Sequence, residues 1–365
     1  MLSTMSTPPV QLPIAIVGAN FGRHIIGELM AEPTARWFRI VAICDRDRAR
    51  ADAAAATCGA RACYDLDEVL ADPAIPVIGL FTGPVGRARL LRRIIRAGKH
   101  CMTTKPFEED AQAALNVLTE AQRLGRAIHL NSPAPVRSPD LTVIERWRRE
   151  FDLGQPISAF AETYVSYRET ADGTWLDDPR HCPVAPLYRL GVYLINDLVA
   201  LFGPATDVQV QSSRLFTGRP TPDNAQVGLR FANGALATVA ASFAIADGDH
   251  YRSSLTLHFA RGTIYRDCGP QRDIARGRLT LITGDGTTAR HVAAQEDVAS
   301  TSGGYRWDLL HQAASGVAIL DLIPPHEIVH GLHVLDAIHR ADAGTGRAEV
   351  RLPAAGQAVG AFAAE

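Results

Sequence analysis

The 365-residue sequence has no excess of basic charge: 37 Lys and Arg stand against 39 Asp and Glu, a formal net charge of -2. It therefore lacks the electrostatic footprint of a nucleic-acid binder. Cysteine is sparse, with Cys44, Cys58, Cys63, Cys101, Cys182 and Cys268 scattered and no C-x-x-C pair among them. That spacing points to neither a zinc ribbon nor a disulfide framework, and reduced thiols of a cytoplasmic protein are expected. Residues Met1 to Pro13 lack both a positive n-region and an apolar h-region, and nowhere do about 18 apolar residues run uninterrupted. Neither export nor membrane insertion is expected, and there is no internal repeat or low-complexity tract. What remains is an ordinary globular composition, 47% hydrophobic and 21% charged, with a small molecule as the expected partner. The length exceeds what one core usually holds, so two domains are expected.

From Ile14 to Asn131 short apolar runs (PIAIVG, FRIVAICD, VIGLF, HCMTT, AIHLN) alternate with helical patterns such as GRHIIGELMAE and EEDAQAALNVLTEAQRLG. Continuous apolar strands separated by helices predict a parallel sheet covered on both faces, a doubly wound α/β domain over 1–134. Beyond the proline-bearing SPAPVRSPD loop, ISAFAETYVSY, TDVQVQSSRLF, AQVGLRF, ALATVAASFAI, SSLTLHF and TIYRD alternate in character, with Asn-Gly, Asp-Gly and Arg-Gly turns between several of them. They predict an α+β domain over 135–365 with a large, open, mostly antiparallel sheet. One long helix is expected over APLYRLGVYLINDLVALF, and a last one over about 325–343 packs back on the body.

PIAIVGANFGRHII sets a buried strand, a glycine turn and an amphipathic helix in the order a pyrophosphate site requires. Glycine lets the backbone turn tightly, and the first N–H groups of the helix face the phosphates. The run Gly18-Ala-Asn20-Phe21-Gly22 is one residue shorter than G-x-G-x-x-G, with Asn20 near the place of the middle glycine. Asn tolerates left-handed dihedrals better than most residues, so a similar turn is expected there. Asp45 closes the second strand, where a carboxylate can bond both ribose hydroxyls and repel a 2′-phosphate. NAD is thus preferred, while the adjacent Arg46 keeps NADP open.

With GLFTGPVGRARLLRRIIRAGKHCMTTKPF the chain resembles the Gfo/Idh/MocA oxidoreductases, the glucose-fructose oxidoreductase and inositol dehydrogenase family. The resemblance rests on the glycine turn, Asp45, Thr82, Lys105-Pro106 and RLGVYLINDL. It implies a nicotinamide-dependent dehydrogenase or reductase acting on a sugar, polyol or sugar-acid alcohol or ketone, assembled as a homodimer or homotetramer through the open sheet. In the family a Glu-Lys-Pro triplet brings its lysine to the reacting oxygen; here it is Thr104-Lys105-Pro106. A family helix motif resembling Asp-x-Gly-x-His-x-x-Asp appears as Arg189-Leu-Gly-Val-Tyr193-Leu-Ile-Asn196, with Tyr193 in the place of the proton relay. Lys105 and Tyr193 are therefore the expected catalytic pair, and Gly18, Asn20, Phe21, Gly22, Asp45, Arg46, Thr82 and Lys105 the expected cofactor contacts.

On a helix Arg189, Tyr193 and Asn196 follow i, i+4, i+7 spacing, so they share one face and can converge on one ligand. The cations Lys105 and Arg189 would then favour the Tyr193 phenolate, and Arg189 would suit an anionic substrate. His181, in the loop before this helix, is a further expected substrate contact. Two rival readings stand beside this one. His326-Glu327-Ile-Val-His330 satisfies H-E-x-x-H, a zinc-hydrolase pattern, but no third ligand follows at the usual spacing and no metal is expected. A non-catalytic dinucleotide or sugar sensor is favoured by the replaced triplet glutamate, the Arg189 reversal and the short glycine turn.

Overall fold

The computed structural model describes residues 10–167, 169–246, 252–268, 277–284, 291–299, 301 and 303–352. The chain divides into two compact units: Met1–Glu108 with Ala113–Asn131 and Tyr305–Leu322, and Glu109–Gln112 with Ser132–Gly304 and Ile323–Glu365.

The first unit alternates strand and helix: β1 (Leu12–Val17), α1 (Ala19–Met30), β2 (Phe38–Cys44), α2 (Arg48–Cys58), β3 (Arg61–Cys63), α3 (Leu66–Leu70), β4 (Val77–Leu80), α4 (Arg87–Arg96), β5 (His100–Thr103), α5 (Ala111–Arg123) and β6 (Ile128–Leu130). The strands form one parallel sheet in the order β3-β2-β1-β4-β5-β6. Every residue of β4 and β5 is buried, as expected for strands covered on both faces. Strand order reverses between β1 and β4, which opens a crevice at their carboxyl ends.

The second unit holds α6 (Pro139–Glu150), β7 (Pro156–Tyr164), a π-helical turn Leu187–Gly191, α7 (Val192–Phe202), β8 (Ala205–Ser213), β9 (Asn224–Phe231), β10 (Leu236–Ser242), β11 (Arg252–Phe259), β12 (Gly262–Cys268), β13 (Gly277–Thr283) and β14 (His291–Val298). With β15 (Arg347–Glu349) these strands make a nine-stranded sheet, β14-β13-β12-β11-β7-β10-β9-β8-β15, antiparallel except where β7 meets β10. The chain enters this sheet late from α9 (Pro325–Ile328) and α10 (His330–Asp342), after α8 (Trp307–Ala314) has returned to the first unit. The fold is thus the α/β plus α+β architecture read from the strand texture. The Asn-Gly turn lies at Asn233-Gly234, φ 87 at the glycine, between β9 and β10. The Asp-Gly pairs at 247–248 and 285–286 lie outside the described residues.

Three local features differ from the pattern-based reading. The helix carrying Tyr193 contains the π turn; the final helix breaks at Val329 into α9 and α10; and α8 packs in the first unit. For α8 the reason is aromatic: Trp307 is buried edge-on against Phe38 at 5.8 Å and donates its Nε1 hydrogen to Glu28 at 2.8 Å. Burial beside that indole raises the Glu28 carboxyl.

Candidate active site

The glycine turn is built by close approach. Gly18 has φ 88, and a Cβ there would stand 2.9 Å from both the carbonyl carbon and oxygen of Phe81 and 3.1 Å from the Thr82 nitrogen. Only glycine fits at the point where β1 and β4 diverge. A Cβ on Gly22 would come 2.9 Å from the Ile16 side chain, so this second glycine seats α1 on β1. Asn20 does not take the left-handed turn expected of it. Gly18 takes it, and α1 already begins at Ala19. That is why the run can be a residue short.

The first intrahelical bond of α1 runs from Gly22 N to Gly18 O at 3.1 Å. It leaves the Asn20 and Phe21 amides at the positive end of the helix dipole, where a pyrophosphate fits. Asn20 is exposed, and the half-exposed Phe21 ring lies 6.0 Å from that of Phe81. Asp45 Oδ2 accepts from Ala19 N at 2.8 Å and Oδ1 from Asp47 N at 3.0 Å, with Arg50 Nη1 3.5 Å from Oδ2. A carboxylate offers about four acceptor sites, so capacity for ribose hydroxyls remains. Arg46 follows it, exposed. The residues present therefore fit a dinucleotide.

Lys105, half-buried, lies just past β5, two strands from β1 on the same carboxyl edge. Its backbone N–H donates to Asn131 Oδ1 at 3.1 Å, and its peptide bond to Pro106 is cis. Thr104 is buried and accepts a hydrogen bond from the Tyr305 hydroxyl at 2.9 Å. Burial raises the Tyr305 phenol well above its ordinary value, so it stays a neutral donor. One charged neighbour belongs to no recognisable sequence motif. Arg87, 1% exposed, directs its guanidinium at the carbonyls of Thr82, Thr104, Pro106 and Phe107.

In the second unit the π turn takes Arg189 out of the α-helical register that would put it on one face with Tyr193 and Asn196. Its guanidinium pairs with both Glu169 oxygens, at 2.5 and 3.1 Å, and lies 4.6 Å from the centre of the Tyr167 ring and 4.9 Å from that of Phe243. Arg189 is thus ion-paired within its own unit, and Glu169 is shared with Arg219 at 3.4 Å. Asn196, expected at the substrate, is buried; its amide donates to Ser132 Oγ at 2.9 Å, and its Oδ1 lies where a Cβ on Gly331 would be, 1.8 Å away. His181 Nδ1 is 2.9 Å from Glu109 Oε1. Tyr193 is half-buried, its ring against Gly303, where φ is 116 and a Cβ would come within 3.1 Å of Cε1.

The H-E-x-x-H match does not lie on one helix. His326 belongs to α9 and His330 opens α10, with Val329 between them. Among the described residues no cluster of three or more His, Cys, Asp or Glu could hold a metal ion.

Residues 12–132 match the oxidoreductase family with an NAD-binding Rossmann fold, and 143–265 match the Gfo/Idh/MocA C-terminal domain. An uncharacterized oxidoreductase of Schizosaccharomyces pombe is 30% identical over 142 residues, 38% of this chain and 37% of that protein; the chain thus matches little more than a third of that relative's length. Among solved structures, GenD2 from gentamicin A biosynthesis, in complex with NAD, has a TM-score of 0.73 at 19% identity, over 96% of this chain and 99% of that one. Levoglucosan dehydrogenase in complex with NADH has a TM-score of 0.73 at 17%, over 94% and 100%. The Bordetella pertussis WlbA dehydrogenase with NADH and UDP-GlcNAcA has 0.69 at 16%, over 93% and 99%. With both halves matched, over a fold built from these two units, the chain belongs to the Gfo/Idh/MocA family of oxidoreductases.

Proposed function

We propose that this protein is an NAD(P)-dependent dehydrogenase or reductase acting on a CH–OH or ketone group of a sugar, polyol or sugar acid. The observation that carries the reading is the glycine-only cradle at the β1–β4 divergence, with Lys105 on the same sheet edge. Bound nicotinamide supplies the two-electron acceptor or donor. Lys105 hydrogen-bonds the reacting oxygen and stabilises the charge that develops on it. Tyr193 takes or returns the hydroxyl proton. Asp45 holds the adenosine ribose and favours NAD; Arg46 leaves NADP usable. The carbohydrate-linked neighbours, levoglucosan dehydrogenase and WlbA, support the substrate class.

Because Glu169 already neutralises Arg189, a neutral polyol is preferred over a uronic acid. The division of labour is a dinucleotide domain over 1–134 and a substrate and assembly domain over 135–365. The protein works in the cytoplasm as a homo-oligomer joined through the outer face of the nine-stranded sheet. A panel of myo-inositol, levoglucosan, D-glucose and D-glucuronate, followed at the NADH absorbance, tests the reading. Turnover of at least one compound is expected, falling about 10²- to 10³-fold in Lys105→Met. A second reading, a sensor without turnover, is favoured by Thr104 in place of the triplet glutamate. NADH binding with no turnover on a wide panel would support it.

A further inference from the structure

We propose that Arg87 is the positioning residue of the Lys105 loop, the group that fixes where the catalytic ammonium stands on the sheet edge. The inference rests on the reading of Lys105 above. Arg87 is the first residue of α4, after Gly86 at φ 63. A cation there opposes the helix dipole, and among the described residues its buried Nε has no hydrogen-bond partner. Burying a guanidinium is costly unless its surroundings compensate. Such a breach of local rules needs a compensating purpose.

The compensation is the loop itself. Nη1 reaches the carbonyls of Thr104 at 2.6 Å, Pro106 at 2.5 Å and Phe107 at 3.1 Å, and Nη2 reaches that of Thr82. One planar fork therefore ties the loop after β4 to the loop after β5, on both sides of Lys105. Asn131 and Tyr305 hold the Lys105 amide and the Thr104 hydroxyl, and the Tyr305 ring also packs edge-on against Phe81 just past β4, but Arg87 is the charged group that bonds the carbonyls of both loops. Glu108 supplies the counter-charge, its Oε2 accepting from Ala88 N at 2.6 Å. Burial lowers the guanidinium to about 10, still protonated at neutral pH. A lysine here could not span the same acceptors, because the fork is what matches two loops at once.

The test uses the full chain as wild type, Arg87→Met and Arg87→Lys, with Lys105→Met alongside. Acetic anhydride labelling of Lys105 is read by peptide mass spectrometry with and without NADH, and NADH affinity by fluorescence. In both Arg87 variants the Lys105 labelling rate should change by about tenfold and its protection by NADH be lost, while NADH affinity stays within about threefold. With an active substrate, kcat should fall by about 10²-fold and KM for NAD hardly move, a split that mere destabilisation would not give. Labelling, protection and kcat all within about twofold of wild type would overturn the proposal. So would failure of both variants to fold, since Arg87 would then be a scaffold residue. If instead Lys105→Met keeps its turnover, the catalytic reading of Lys105 fails, and the labelling still decides what Arg87 does.

Discussion

At Arg189 two chemistries compete, recognition of an anionic ligand and closure of an internal ion pair, and the structure shows the ion pair formed with Glu169. The guanidinium also lies against the Tyr167 and Phe243 rings. Replacing Glu169 with Gln should free it: kcat/KM for D-glucuronate should rise relative to myo-inositol, and an unchanged ratio would refute the role. Gly18 gives a second test. Gly18→Ala forces a side chain into φ 88 and into the Phe81 carbonyl, which should cost about 1–3 kcal/mol and abolish NADH binding. The glycine turn was legible because it is a fixed offset from a strand and a helix. The Arg189 ion pair left no sequence signal because its partner lies 20 residues away in a loop, and the π turn that carries Arg189 leaves no mark on hydrophobic periodicity.

Elements are joined in the second unit by a buried triad. Arg266 on β12 reaches Asp140 on α6 at 2.5 Å and Asp197 on α7 at 2.8 Å, all three at most 3% exposed. Arg266→Met should destabilise by about 3–5 kcal/mol in chemical denaturation, because two carboxylates lose their counter-charge. The triple change Arg266→Met, Asp140→Asn, Asp197→Asn should recover much of that; no recovery would mean that shape, not charge, matters there. Strands and helices were read well because the sheet's apolar alternation is local. The return of Tyr305–Leu322 to the first unit was not, since Trp307 meets Phe38 across 269 positions of sequence. The H-E-x-x-H match shows the converse: a perfect local pattern that tertiary structure divides between two helices.

For the whole molecule, acid should be the weak side. Burial lowers His100 and His129 to about 4; Arg126 adds to the effect on His100, and His100 to that on His129. Both folded values lie below the unfolded 6.5, so the unfolded chain protonates first as pH falls. The stabilising contribution is complete above about pH 6.5 and is lost progressively toward pH 4. Tm should fall across that window, and His129→Asn should flatten the fall; an equally steep curve in the variant would exclude His129. The open sheet bears Ile157, Phe160 and Leu236 at 46%, 59% and 48% exposure, an apolar face that a monomer would leave in water. Light scattering should report a dimer or tetramer that Phe160→Glu weakens, and a monomeric wild type would remove the assembly proposal.

The most direct test of the central claim is a crystal structure of the protein with NADH. The pyrophosphate should rest on the Asn20 and Phe21 amides, the ribose on Asp45, and the nicotinamide C4 beside the Lys105 ammonium, close enough that a substrate oxygen stands about 3 Å from Nζ. A dinucleotide bound there with Lys105 turned away from the ring, or no dinucleotide in the crevice at all, would contradict the assignment.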